Sequence, residues 1–142
     1  MLTKAQKNLK ILMQAWMIIL LGAGVIFLSQ GNQLLIKMNS LSAGYTPNLP
    51  LLPIPVEKFW LTLTISLMTV LIAIAYLSQK DIRRSKSLIE LFLLSKFVST
   101  LFFVIFFITD TRAFAYVIGV LSDGLMFLTT YWFYQAVKKE MA

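Results

Sequence analysis

The sequence predicts an all-α integral membrane protein with four transmembrane helices. Of its 142 residues, 58% are hydrophobic and only 13% are charged, whereas about a quarter of the residues in a soluble domain are usually charged. Four apolar segments approach the length of about 20 residues that spans the hydrocarbon core of a bilayer. The length of the chain leaves room for one membrane domain covering 1–142.

The four predicted spans cover 11–29, 59–78, 88–108 and 114–134. The first span follows a basic N-terminal segment, so a cleaved signal peptide is the alternative interpretation. However, its apolar run exceeds the roughly 7–15 residues of such a peptide, and no small-x-small cleavage site follows it. We therefore expect a retained first span and an antiparallel up-down bundle of four helices.

The long connector, 30–58, contains a segment with helical spacing of apolar residues. Leu34, Leu35, Met38 and Leu41 recur as they would on one face of a helix. This pattern predicts a short interfacial helix over 32–41, with Lys37 and Asn39 facing water. A loop that happens to contain apolar residues is the alternative.

Four prolines follow in the same connector, at positions 47, 50, 53 and 55. Proline fixes the backbone dihedral φ and removes a hydrogen-bond donor, so this part should be extended rather than helical. Apolar residues alternate with these prolines. We therefore expect 47–55 to pack against helix ends or against another subunit.

Small and hydroxylated residues form a stripe along the second span: Thr62, Ser66, Thr69 and Ala73. Small residues in membrane helices let a second helix approach closely, so the pattern favours a face on which another helix packs. A polar path lined by these hydroxyl groups is the alternative.

The basic residues predict the orientation of the chain. Nine of them fall on one side of the membrane in a four-span topology, and three fall on the other. Because cytoplasmic loops carry the excess of Lys and Arg, both termini and 79–87 should be cytoplasmic. The nine are Lys4, Lys7, Lys10, Lys80, Arg83, Arg84, Lys86, Lys138 and Lys139; the three are Lys37, Lys58 and Arg112.

Lys96 and Asp123 place opposite charges inside the third and fourth spans. Such a charge costs at least about 3 kcal/mol in hydrocarbon and persists only with a partner or a wet cavity. From the helical rise, Lys96 should lie about 12 Å and Asp123 about 16 Å from the same membrane face. The connector 109–113 is too short to separate the two helices, and a Lys side chain can cover one helical turn. We therefore predict a salt bridge between them.

Nearby serines could complete the hydrogen bonding of this pair, namely Ser95, Ser99 and Ser122. Glu90 lies two residues inside the third span and should reach the headgroups, with Lys86 one turn earlier. The fourth span carries Gly119, Asp123, Met126 and Thr130 on one face, and we expect that face to point inward.

The sequence contains no cysteine and no histidine. This excludes disulfides, zinc sites with thiolate or imidazole ligands, iron–sulfur clusters and acid–base chemistry by imidazole. We expect no cofactor and no metal. The basic residues lie beside apolar runs, as the orientation of a membrane protein explains. They form no basic face with a nucleic-acid-binding motif, so we do not expect nucleic acid as a partner.

Three short segments resemble those of small four-span bacterial membrane proteins: FWLTLTISLM, LLSKFVSTLFF and VIGVLSDGLMF. The resemblance implies a bacterial inner membrane and no particular activity.

Three functions stay open at this point. The first is a structural or accessory subunit without catalysis, working with other membrane subunits or as a homo-oligomer in the lipid bilayer. The second is a small proton- or ion-coupled transporter or channel that uses the buried charges. The third, an intramembrane enzyme acting on lipid, is weakest, because the acids Glu90, Asp110 and Asp123 are not spaced as a paired site.

Overall fold

The computed structural model describes residues 2–55 and 58–141, the last of these for its backbone only. Within these ranges the regular structure is entirely helical, with five α-helices and no strand. The helices are α1 (Lys4–Gln30), α2 (Asn32–Tyr45), α3 (Phe59–Lys80), α4 (Lys86–Thr109) and α5 (Phe114–Met141).

Four of the helices, α1, α3, α4 and α5, are long and apolar enough to cross a membrane. The prediction of four membrane-length apolar helices is therefore confirmed. The helices extend beyond the predicted spans because their polar ends continue the helical hydrogen bonding. In α1, Thr3 accepts a hydrogen bond from the Gln6 backbone and the Gln6 side chain accepts one from the Thr3 backbone. This capping box stabilises the start of a helix seven residues before the predicted span.

Residue Gly31 alone separates α1 from α2. Its φ of 45° is the only positive value in the described part of the chain, and glycine adopts such a conformation without the steric cost of a Cβ atom. The helix predicted over 32–41 is present and continues to Tyr45. It packs against α1 and α5, with Leu34, Leu35 and Met38 half-buried.

The extended connector is fastened to α2 by two asparagine side chains. Asn39 Nδ2 donates to the carbonyl oxygen of Leu52 at 2.8 Å, and Asn39 Oδ1 accepts from the Leu52 backbone N–H at 3.0 Å. Asn32 Nδ2 donates to the carbonyl oxygen of Pro55 at 2.7 Å. The expectation that Asn39 faces water is wrong, because its amide satisfies a backbone that has no secondary structure of its own.

The four long helices pack in a fixed order: α1 against α3 and α5, and α4 against α3 and α5. Their buried residues concentrate at the end of the molecule where α1 begins and α5 ends. There Leu9 and Met13 meet Phe92 and Val137 in one hydrophobic cluster. We call this the terminal end, and we call the opposite end, where α1 meets α2, the connector end.

The predicted packing stripe on α3 faces outward instead. Thr62, Ser66, Thr69 and Ala73 are all exposed, and α3 turns Ile74, Ala75, Ser78 and Gln79 inward. The hydroxyl groups of Thr62 and Thr69 donate to carbonyl oxygens of their own helix. Because these bonds satisfy the hydroxyls locally, the stripe needs no neighbour within this chain, and no other helix of the described residues covers it.

Candidate functional site

An ion pair between α4 and α5 forms the centre of the candidate site. Lys96 Nζ donates to Asp123 Oδ1 at 2.9 Å, and the two side chains are 6% and 16% exposed, respectively. The short turn at 110–113 makes α4 and α5 neighbours, and one residue from each helix then meets at a similar depth. The contact predicted from the sequence is present in the structure.

Ser99 supplies the second hydrogen bond to the carboxylate. Its Oγ donates to Asp123 Oδ2, so each carboxylate oxygen has its own donor. Ser99 lies three residues after Lys96, and side chains at this spacing lie on the same helix face. Together the ammonium and the hydroxyl group compensate the cost of removing the carboxylate from water.

The other predicted supporting residues lie apart from the pair. Ser122 Oγ donates to the carbonyl oxygen of Gly119 at 3.1 Å. Ser95 is half-buried and forms no hydrogen bond with either charged side chain in the described part of the chain. Glu90 is exposed and accepts from Tyr134 Oη at 2.7 Å. A serine one residue before Lys96 or Asp123 points about 100° around the helix from the pair, which explains why Ser95 and Ser122 do not join it.

One helical turn from the charge pair, toward the connector end, an aromatic side chain packs on α5. A Cβ atom at Gly119 would lie 2.7 Å from Cδ2 and Cε2 of the Phe103 ring, so the ring rests directly on the backbone of α5. Phe103 follows Ser99 by one helical turn, and Gly119 precedes Asp123 by one. The ring therefore fills the space between the helices next to the pair on this side.

Toward the terminal end, a hydrogen bond joins the first long helix to the last. Trp16 Nε1 donates to Thr130 Oγ1 at 3.0 Å, and Thr130 is fully buried. Gly119, Met126 and Thr130 are buried and Asp123 is half-buried, so the predicted inward face of α5 is confirmed. Sequence reasoning missed the Trp16–Thr130 contact, although a buried indole N–H usually finds an acceptor.

The arrangement can fix the rotation and register of α4 against α5, because both charges lose their partner if either helix turns or slides. Among the described residues, no second acidic group contacts the pair. In residues 2–55 and 58–141, no group of three or more acidic side chains could hold a metal ion.

Comparison of the chain with protein-family models, with curated proteins and with solved structures finds no match.

Proposed function

We propose that this chain is a multi-pass membrane protein that serves as a structural or accessory subunit, without catalysis of its own. The observation that supports this most strongly is the hydrogen bonding of the Lys96–Asp123 pair. Each carboxylate oxygen has a donor, and Phe103 packs beside the pair on Gly119. A pair in which both carboxylate oxygens have donors suits a structural role, namely holding α4 against α5.

The outer surface of the long helices suits contact with lipid or with other subunits. Large apolar side chains are exposed on all four, among them Leu28, Leu67, Ile108 and Trp132. The hydroxylated stripe on α3 is exposed as well. Since small residues permit close helix approach, we propose this stripe as the face that meets another membrane subunit or a second copy.

Purification in a gentle detergent followed by native mass spectrometry tests this proposal. We expect a defined complex, either with other membrane subunits or with further copies of the chain. Two variants form a matched pair. Ser66→Leu should weaken the complex, because the larger side chain prevents close approach of a second helix, and Leu67→Val, one residue away, should leave the complex intact. A monomer that carries lipid alone, in every detergent tried, would contradict the proposal.

A small proton- or ion-coupled transporter is the second candidate. It is favoured by one observation: the Asp123 side chain is more exposed than that of Lys96, 16% against 6%. A carboxylate that can be reached can exchange a proton or a cation while Lys96 remains as its counter-charge. The variants described at the start of the Discussion separate the two functions.

The proposed topology is an antiparallel bundle in a bacterial inner membrane, with both termini cytoplasmic and α2 at the opposite membrane surface. The distribution of basic residues supports it. Two contacts between α1 and α3 support the antiparallel arrangement of these helices. Phe27, near the end of α1, meets Trp60 at the start of α3, and Met17, in the middle of α1, meets Gln79 at the end of α3.

Cysteine labelling in intact cells checks this orientation, because the chain has no native cysteine. An impermeant maleimide should label Ala43→Cys, at the end of α2, and should not label Ser87→Cys, at the start of α4. Both positions are exposed, so a difference in labelling reports the side of the membrane and not burial. After the cells are permeabilised, both should react. Labelling of the cysteine at position 87 in sealed cells would reverse the orientation.

A further inference from the structure

An apolar groove runs along the outer surface of the molecule between α4 and α5. Its volume is about 470 Å³, within the roughly 300–1,000 Å³ of small-molecule sites. The one hydroxyl group in the lining belongs to Thr100 and donates to a carbonyl oxygen of its own helix. Most of the lining side chains are exposed, so the groove opens away from the interior of the bundle. The lining includes Phe97, Val104, Leu121, Gly124, Leu125 and Leu128.

The groove lies at the depth of lipid acyl chains. At 1.5 Å per residue, its lining on α5, from Leu128 to Val120, lies about 9–21 Å from the level of Tyr134, where the apolar run of this helix ends. Each leaflet contributes about 15 Å, half of the roughly 30 Å hydrocarbon core of a bilayer. An acyl chain that starts at the level of Tyr134 therefore reaches into the groove.

Aromatic contacts connect the groove with the terminal end. The ring centroid of Phe97 on α4 lies 5.5 Å from that of Phe127 on α5, and both residues line the groove. Phe127 stacks on Tyr131, with 5.9 Å between the ring centroids. Tyr131 is exposed, as is Leu94 on the neighbouring helix. An apolar surface therefore continues from the groove toward the terminal end.

Two lysines lie where this surface reaches the terminal end. Tyr134 Oη donates to Glu90 Oε1 at 2.7 Å and so joins α5 to α4. Lys86 precedes Glu90 by one helical turn and Lys138 follows Tyr134 by one, which places both lysines on the same helix faces as this contact. Lys138 Nζ lies 5.7 Å from the centroid of the Tyr134 ring, so it points back along α5 toward the apolar surface. Within the described part of the chain, neither lysine forms a salt bridge.

The charge of the terminal end favours an anionic ligand. Nine basic residues lie there against three acidic ones, Asp81, Glu90 and Glu140. Two of these acids already have partners, because Glu90 accepts from Tyr134 and Asp81 pairs with Arg84. Clusters of Lys and Arg beside membrane helices attract anionic lipids. A ligand that matches both the groove and this end carries a hydrocarbon chain and an anionic group.

We propose that an anionic phospholipid binds between α4 and α5, with one acyl chain in the groove and its phosphate group beside Lys86 and Lys138. Charge complementarity favours this ligand over a helix of a second copy. A copy inserted in the same orientation would bring its own basic residues beside these two lysines, and like charges repel. The lipid site is independent of whether the chain serves as a subunit or as a transporter.

Native mass spectrometry of the full-length protein, titrated with lipid in a non-ionic detergent, measures binding. Phosphatidylglycerol and phosphatidylcholine with identical acyl chains are the two probes, because they differ in net charge. We expect phosphatidylglycerol to bind at least about fivefold more tightly, which corresponds to one lysine near an anionic headgroup. Equal affinities for the two lipids would overturn the proposal.

A phenylalanine placed in the groove tests where the acyl chain lies. Val104→Phe should weaken phosphatidylglycerol binding about tenfold, because the ring displaces about two methylene groups of the chain from the protein. Val70→Phe makes the same change on the outer surface of α3, where Val70 is 55% exposed, and should leave the affinity unchanged. Leu125→Phe obstructs the groove from α5 and provides a second test if Val104→Phe does not fold.

Equal weakening by Val104→Phe and Val70→Phe would contradict a site in the groove. If Val104→Phe instead dissociates a homo-oligomer and leaves the lipid affinity unchanged, a second copy occupies the groove and the proposal is wrong.

Charge variants test the headgroup contact. Lys138→Gln should weaken phosphatidylglycerol binding about fivefold and leave phosphatidylcholine binding within about twofold. Arg112→Gln, at the connector end, should change neither affinity. Unchanged elution in gel filtration shows that the variants keep their fold. An unchanged affinity for phosphatidylglycerol when Lys86→Gln and Lys138→Gln are combined would overturn the proposal.

Discussion

Lys96→Met and Asp123→Leu should each sharply reduce the yield of folded protein, and the double variant should recover much of it. Each single change leaves one charge buried between α4 and α5 without its partner, which costs about 3–5 kcal/mol for a buried pair. Removing both charges removes the desolvation cost together with the attraction. The folded yield and the thermal midpoint in detergent measure the effect.

A matched control is the exposed ion pair between Asp81 and Arg84, in which Arg84 Nε lies 3.6 Å from Asp81 Oδ2. The Arg84 side chain is 91% exposed, so Arg84→Met should change the free energy of unfolding by less than about 1 kcal/mol. If the two single variants at the buried pair are equally harmless and their effects add, Lys96 and Asp123 do not stabilise each other.

The double variant also separates the two candidate functions. A structural pair predicts a double variant that folds and still assembles into its complex. A transport site predicts a double variant that folds and assembles but no longer moves protons or ions in liposomes. Loss of proton flux from the double variant, with assembly unchanged, would therefore favour the transporter.

Gly119→Ala should destabilise the protein by about 1–3 kcal/mol, the usual cost of overfilling a packed site. The new Cβ atom would lie 2.7 Å from the Phe103 ring, a distance that forces the ring or α5 to move. Gly124→Ala is the control on the same helix, because its Cβ would lie 3.5 Å from Thr100 Cγ2, an ordinary contact. That variant should be neutral or slightly more stable, since alanine favours helix over glycine.

A compensating change checks the cause. Phe103→Leu combined with Gly119→Ala should regain part of the lost stability, because the smaller side chain leaves room for the methyl group. Thermal midpoints of these three variants and of the unchanged protein in one detergent are sufficient. Equal loss in Gly119→Ala and Gly124→Ala would show that the Phe103 contact does not decide the packing of α5.

Much of this fold was predictable because hydrocarbon imposes a simple rule: a span needs about 20 apolar residues, and its charges need partners. That rule located the four long helices and the contact between Lys96 and Asp123. Of the three serines predicted to support the pair, Ser95, Ser99 and Ser122, only Ser99 contacts the carboxylate.

The same rule could not show which face of α3 turns inward. Every face of a span is apolar enough to meet either lipid or protein, so the stripe from Thr62 to Ala73 carried no directional signal. It also could not predict the amide of Asn39 bonding the backbone of Leu52, because that contact depends on where an extended connector returns. The capping box of Thr3 and Gln6 follows the spacing Thr-x-x-Gln and was therefore predictable from the sequence.

The charge pair also constrains the order of events during biosynthesis. Lys96 and Asp123 are 27 residues apart, so at roughly 5–20 residues per second Asp123 is made about 1–5 s after Lys96. During that interval α4 carries an unneutralised cation, which opposes its transfer into lipid as a single helix. Insertion of α4 and α5 together, as one hairpin, avoids this barrier. Trp16 and Thr130 are 114 residues apart, so α1 makes this contact only after most of α5 has been synthesised.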